Sequence, residues 1–152
     1  MDVYARLEEL KIKLPEPPPR GGIYKPVTRC GNMLYVSGQG PTEKGVPLVS
    51  GKLGAERTIE EGQHAARLCV LNALSLLHQY LGDLNKIKST VKLLAFVASA
   101  PGFNKQPLVI NGGSQLLVDI FGEDRGMGAR SAIGTNELPN DISVEIEFIF
   151  EI

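Results

Sequence analysis

The chain has 152 residues, of which 43% are hydrophobic and 22% are charged, and its formal net charge is −1. These values are ordinary for one globular domain, and a near-neutral charge argues against a protein built to neutralise phosphates. No uncharged apolar run approaches the roughly 18 residues of a membrane span, and the N-terminus lacks the apolar core of a signal peptide. We expect a soluble, cytoplasmic protein whose partners include neither nucleic acid nor a membrane.

The few cysteines and histidines do not form a metal-binding pattern. Cys30 and Cys69 are too few for a disulfide scaffold, and no Cys/His spacing resembles a zinc site. His64 and His78 fall in one predicted helix without a second ligand at a convincing spacing. We predict structural roles for both cysteines, surface positions for both histidines, and no metal.

The first 21 residues divide into a short helix and a linker. Residues 2–12 carry apolar side chains at helical spacing, with charges between them. The proline-rich segment 14–22 breaks any helix, because proline fixes φ and removes a backbone donor. We predict that residues 1–21 are a helix and a proline-rich linker packed on a domain formed by residues 22–152.

The body is predicted to alternate strands and helices in an α+β pattern. Gly31-Asn32 joins two β-prone runs as a hairpin connection, and Thr58 with Glu61 forms a capping box. Clean apolar alternation marks the last strand. The strands are predicted at residues 23–30, 33–39, about 46–49, 89–99, 129–138 and 143–152, and the helices at 58–81 and 107–121.

Gly112 and Gly113 interrupt the second long helix, where each costs about 1 kcal/mol relative to alanine. Close packing against the sheet accounts for them. The close approach of a ligand or of a neighbouring chain accounts for them equally well, and the sequence does not decide between the two.

Arg130 and Glu145 stand out in the C-terminal segment, which we place on two adjacent strands. A guanidinium binds a carboxylate through two parallel charge-assisted bonds, and a nearby carboxylate can position or deprotonate water. An ordinary cross-strand ion pair on a solvent face explains the same two residues. Periodicity alone favours the ion pair.

Several segments together resemble the RidA/YjgF family, whose older names are L-PSP endoribonuclease and translation inhibitor. They are GNMLYVSGQGP at residues 31–41, the helix beginning TIEEGQ, the strand KLLAFV, and the run ARSAIGTNELPNDISVEIEFIFEI. The resemblance covers nearly all of residues 22–152. It implies a chorismate-mutase-like α+β domain, with two helices on one face of a mixed sheet. It also implies a homotrimer with its sites in clefts between subunits.

The resemblance also assigns roles to six residues and implies a reaction. Arg130 would grip a substrate carboxylate, and Glu145 would handle the hydrolytic water. The other substrate-binding positions are Tyr24, Asn111 and, through backbone atoms, Gly31 and Ala132. The implied reaction is hydrolysis of a reactive enamine or imine, derived from an amino acid, to a 2-keto acid and ammonia, without a cofactor.

Two departures from the family pattern keep other functions open. Ala132 stands where members often carry cysteine, and Gly134 stands where active deaminases commonly carry glutamate. Gly134 favours a non-catalytic protein that binds or senses small carboxylic acids. A ribonuclease or translation inhibitor is a third hypothesis, but the charge and the lack of an aromatic-basic RNA patch argue against it.

Overall fold

A five-stranded mixed sheet organises the chain, of which the computed structural model describes residues 2–152. The strands are β1 Val27–Cys30, β2 Met33–Gln39, β3 Thr42–Glu43, β4 Val46–Pro47, β5 Ser89–Ala98, β6 Ala129–Thr135 and β7 Val144–Glu151. The helices are α1 Val3–Glu9, α2 Ile59–Leu81, α3 Gln106–Phe121 and α4 Glu123–Gly126. The sheet order is β1-β2-β7-β5-β6, and β5 and β6 are parallel neighbours. This architecture confirms the predicted α+β fold, with α2 and α3 on one face and a short N-terminal helix.

The alternation in β7 separates the two faces of the sheet. Val144, Ile146, Phe148 and Phe150 are buried beneath the helices, and the intervening side chains project from the opposite face. Full burial of such a side chain contributes about 1.5–3 kcal/mol. We call the face that the helices leave uncovered the open face.

Helix α2 begins and ends at the predicted signals. The backbone N–H of Thr58 donates to the Glu61 carboxylate at 2.8 Å, and the Glu61 N–H donates to the Thr58 hydroxyl at 3.2 Å. Gly82 ends the helix at φ 75°, in the left-handed region that favours glycine. Both predicted ends are confirmed.

Gly112 and Gly113 bring α3 against the backbone of α2. A Cβ on Gly112 would overlap the carbonyl oxygen of Gln63, and one on Gly113 would lie 3.1 Å from the carbonyl oxygen of Ala66. The glycines therefore serve close packing. The sequence left open close packing against the sheet or the close approach of a ligand or a neighbouring chain, and the packing seen here is against α2 instead of the sheet.

The N-terminal segment is anchored to the body. Helix α1 is shorter than predicted, because Lys11 adopts a positive φ of 55° that a continuing helix does not allow. Val3 N–H donates to Asn85 Oδ1 at 2.8 Å, and Arg6 Nε donates to the Asp119 carbonyl at 2.7 Å. Residues 14–22, which we call the N-terminal strap, continue from α1 along the body. The division of the chain at residue 21 remains a prediction.

Strand order is where the sequence interpretation was wrong. Arg130 on β6 and Glu145 on β7 are not on adjacent strands, because β5 lies between them. The connection over residues 136–143 is long enough to pass the end of β5, so β6 becomes the edge strand. The short helix α4 and the 3-10 turn at Leu84–Lys86 were also not predicted.

Both histidines lie at the surface, as the sequence predicted, and the two cysteines differ in exposure. Cys69 is buried and Cys30 is exposed, and both are free thiols. His64 and His78 are exposed on α2. In the part of the chain that the structure describes, no helix combines the length and the apolar character needed to cross a membrane.

Gly112→Ala tests the packing of α2 on α3. Alanine gains about 1 kcal/mol of helix propensity, but its methyl group meets rigid backbone, and overpacking of this kind typically costs about 1–3 kcal/mol. We expect urea denaturation to show a lower free energy of unfolding for Gly112→Ala than for the matched variant Gly113→Ala, which gains the same propensity with a milder contact. Equal or greater stability of Gly112→Ala would contradict this packing.

Candidate functional site

Arg130 lies at the edge of the sheet, on the face that the helices cover. It pairs in register with the buried Leu93, so both side chains point towards the helices. Arg130 Nη1 donates to Ser114 Oγ at 3.0 Å, and Nη2 donates to the Pro107 carbonyl at 3.2 Å. Both acceptors belong to α3 and both are neutral, so the guanidinium is held in place while its charge is left uncompensated.

A cavity of about 760 Å³ opens beside this guanidinium. Asn111 lines it from α3, and Arg67 adds a second guanidinium from α2. Among the described residues that line the cavity there is no Asp or Glu, and no ion pair to Arg130 is formed within residues 2–152. A cavity with two cations and no carboxylate is suited to a small anion. We call it the arginine cavity.

Glu145 lies on the open face and at the start of β7. Its carboxylate is seated against Gly38 of β2, where a Cβ would overlap Glu145 Oε1. A larger residue at position 38 would displace this carboxylate from its present position. The second residue of the Ser37-Gly38-Gln39 motif therefore contributes to the shape of the site.

A second cavity of about 470 Å³ contains Glu145 and Tyr24. The pKa of the Glu145 carboxyl is raised, first because partial burial disfavours its charged form and then because Glu147 lies nearby. Across residues 2–152, no hydrogen bond or ion pair to this carboxylate offsets the burial. A carboxyl group with a raised pKa is suited to exchanging a proton with water or substrate. We call this space the glutamate cavity.

The Arg130 and Glu145 side chains project from opposite faces of the sheet. Arg130 is in register with Leu93 on the helix-covered face, whereas Glu145 is in register with Phe96 on the open face. The two residues therefore do not form the cross-strand ion pair that periodicity favoured. One chain alone does not bring them to the same small molecule.

The other predicted residues are distributed unevenly. Asn111 lines the arginine cavity and Tyr24 lines the glutamate cavity. Gly31 lines neither cavity; it forms the β1–β2 turn at φ 59°, at the opposite end of β2 from Gly38. Ala132 packs against the core two positions beyond Arg130 and is not among the residues that line either cavity.

Gln106 occupies the space beside Gly134. A Cβ on Gly134 would lie 2.8 Å from Gln106 Nε2. That amide group donates to Ser99 Oγ at 3.2 Å and to the Phe103 carbonyl at 2.9 Å. Where the family resemblance leads us to expect a glutamate side chain, this protein therefore has a neutral amide from the start of α3.

The sequence did not reveal three residues that neighbour the site, which are Gly38, Ser114 and Gln106. Ser114 and Gln106 lie on α3 and meet β6 only in the folded chain, so no spacing in the sequence predicts the contacts. No group of three or more His, Cys, Asp or Glu side chains that could hold a metal ion is found in the described chain.

The raised pKa of Glu145 predicts a pH-dependent stability. The folded protein binds this proton more tightly than the unfolded chain does, so the free energy of unfolding falls as pH rises from the usual glutamate range through the raised pKa. Glu145→Gln should therefore melt higher than the unsubstituted protein at about pH 7, by on the order of a few degrees, with little difference near pH 4. Thermal melts at both pH values measure this, with Glu137→Gln, at an exposed glutamate outside both cavities, as the control. A larger gain at pH 4 than at pH 7 would contradict the assigned shift.

Comparison with known proteins places this geometry in a family. The family described as "YjgF/chorismate_mutase-like, putative endoribonuclease" matches residues 4–150. Protein TCP17 of Trypanosoma cruzi is 41% identical over 150 residues, which is 99% of this chain and 94% of that protein. The crystal structure of Atu1372 from Agrobacterium tumefaciens, a protein of unknown function, is 45% identical with a TM-score of 0.89, covering 99% of this chain and 91% of that one.

A second crystal structure matches the full length. It is a "putative endoribonuclease" from Shewanella oneidensis, 32% identical with a TM-score of 0.95, and it covers 100% of both chains. The family match spans nearly the whole sequence, and the fold agrees with it from α1 to β7. The chain therefore belongs to the YjgF/RidA family of chorismate-mutase-like α+β proteins.

Proposed function

We propose that this protein hydrolyses reactive imines derived from amino acids, releasing a 2-keto acid and ammonia. The observation that carries the proposal is the Arg130 guanidinium, which is held by two neutral oxygens beside a cavity whose described lining contains no carboxylate. Such a group binds the carboxylate of a 2-imino acid through parallel charge-assisted hydrogen bonds. It has no ion-pair partner within residues 2–152 that the substrate would have to displace.

Glu145 supplies the second function that this reaction needs. Its carboxylate takes a proton from water as the water oxygen bonds to the imine carbon, and the C=N electron pair moves to nitrogen, which takes up a proton. Collapse of the resulting carbinolamine forms the C=O bond, breaks the C–N bond and releases ammonia. A carboxyl group with a raised pKa suits both proton transfers, and positioning provides much of the acceleration.

The proposed site is completed between subunits of a homotrimer. Arg130 and Glu145 lie in separate cavities on opposite faces of one sheet, so a second copy of the chain has to bring the matching half. The open face is suited to such contact, since Tyr35 and Ile133 are each 46% exposed there and Ile149 lies between the glutamates of β7. Exposed apolar side chains on one face favour association with another chain.

A binding or sensing function is the second candidate. Gln106 favours it, because its neutral amide fills the space beside Gly134 where the resemblance implies the glutamate of active deaminases. In this alternative the Arg130 anchor binds a small carboxylic acid without turning it over.

Substitution of Arg130 and Glu145 tests the proposed reaction. The imine is generated in the assay by an amino-acid oxidase, and the release of ammonia and 2-keto acid is followed. Loss of the charge-assisted hydrogen bonds in Arg130→Ala should lower kcat/KM by at least about 100-fold, and Arg130→Lys should retain only part of the activity. Glu145→Gln should lower kcat by about 10²–10⁴-fold, as expected for loss of a general base.

Matched controls accompany these variants. Arg29→Ala removes an exposed arginine of β1 that lies outside both cavities, and Glu137→Gln removes an exposed carboxylate that also lies outside both cavities. Both controls should stay close to full activity. Full activity of Arg130→Ala would contradict the proposal. Calorimetric binding of 2-oxobutanoate that depends on Arg130, with no turnover of any imine, would favour the binding protein instead.

A further inference from the structure

The N-terminal strap forms one wall of the glutamate cavity. Pro18, Pro19, Arg20 and Gly21 line this cavity from one side, and Gly38 and Glu145 line it from the sheet. The strap therefore contributes side chains to the space in front of the candidate catalytic carboxylate, besides joining α1 to the body.

Contacts at several points fix the strap in this position. The buried hydroxyl of Ser75 on α2 donates to the Pro15 carbonyl at 2.6 Å. Further along, Pro19 packs on the hairpin between β3 and β4, where a Cβ on Gly45 would lie 3.0 Å from the proline ring. Lys44 in the same hairpin forms an ion pair with Glu16 at 3.6 Å. The strap is thus held on both sides before it reaches the cavity.

The end of the strap also positions Tyr24. The Gly21 N–H donates to the Tyr24 hydroxyl at 3.2 Å, and the ring packs beneath Gly22. Arg20 Nη1 donates to the Tyr24 carbonyl at 3.4 Å. Arg20 and Tyr24 therefore form one local unit at the rim of the glutamate cavity.

Arg20 is the cationic side chain among the described residues that line this cavity, and Glu145 is the acidic one. Arg20 forms no ion pair within residues 2–152, and its remaining N–H donors need an acceptor. An arginine that is only solvated can extend from a mobile backbone. The backbone that carries Arg20, in contrast, is anchored on α2 and on the β3–β4 hairpin.

We propose that Arg20 binds a second acidic group of the substrate, so that the preferred substrate is the imine of a dicarboxylic amino acid. The inference rests on the proposed function, in which Arg130 of a neighbouring chain holds the first carboxylate. The substrate would then bridge two guanidinium groups, with the imine carbon between them and near Glu145. Water adds and ammonia leaves as in the proposed reaction, and the product is an oxo-dicarboxylic acid.

Calorimetry with two keto acids tests the inference without requiring turnover. The probes are 2-oxoglutarate, which has two carboxylates, and 2-oxobutanoate, which has one. The unsubstituted protein should bind 2-oxoglutarate about 10-fold more tightly, as expected for one additional charge-assisted contact. Arg20→Ala should remove that preference and leave the affinity for 2-oxobutanoate within about twofold, and Arg20→Lys should retain part of the preference.

Arg29→Ala is the matched control, because it removes one exposed arginine outside both cavities and should keep the preference. Arg20 is exposed, so a melting temperature close to that of the unsubstituted protein confirms that each variant is folded. The inference is overturned if the protein binds both acids equally, if it binds neither, or if Arg20→Ala weakens both to the same extent.

The imine assay separates this inference from the proposed function. Hydrolysis of a monocarboxylic imine, with no diacid preference that depends on Arg20, would leave the proposed function standing and overturn the role of Arg20. A diacid preference lost in Arg20→Ala, with no hydrolysis of either imine, would support the role of Arg20 and overturn the proposed reaction.

Discussion

Strand β5 separates the two residues on which the chemistry depends. It pairs in parallel with β6 and antiparallel with β7, and these two registers put Arg130 on the helix-covered face and Glu145 on the open face. Side chains on opposite faces of a sheet do not meet, so no side-chain rearrangement within one chain joins them. A catalytic site that uses both residues therefore requires two copies of the chain, and this requirement links the fold to the proposed trimer.

A glycine allows a close contact in each half of that site. Gly112 lets α3 lie against α2, and α3 in turn supplies the hydroxyl and the carbonyl that hold Arg130. On the other face, Gly38 makes room for the Glu145 carboxylate. In both places the absence of a side chain leaves room for a neighbouring group, which is the backbone of α2 at Gly112 and the Glu145 carboxylate at Gly38.

Local signals in the sequence predicted the elements, but they did not predict the order of the strands. The capping box at Thr58, the alternation along β7 and the Gly31-Asn32 turn depend on neighbouring residues, and all three appear in the structure. The insertion of β5 depends on how distant segments pair. The same limit applies to Gly38, since only the folded sheet shows that this glycine faces Glu145.

The sequence likewise predicted some features of the site and missed others. Of the six residues that the family resemblance assigned to the site, Gly31 and Ala132 line neither cavity, and the other four line one cavity or the other: Arg130, Asn111, Tyr24 and Glu145. The resemblance did not indicate that two cavities exist, because that follows from the faces of the sheet. Nor did it give a role to the proline-rich strap, whose path along α2 and the β3–β4 hairpin is set by contacts remote in sequence.

Mixing two inactive variants tests the shared site most directly. Arg130→Ala and Glu145→Gln chains, co-expressed with different tags and purified as mixed trimers through both tags, should recover about a third of the unsubstituted imine hydrolysis, because one of the three interfaces in each mixed trimer receives both intact halves. Neither variant alone should show it, and a chain that carries both substitutions should restore nothing when mixed with either one. Mixed assemblies that form but stay inactive would contradict a site built from Arg130 of one subunit and Glu145 of another.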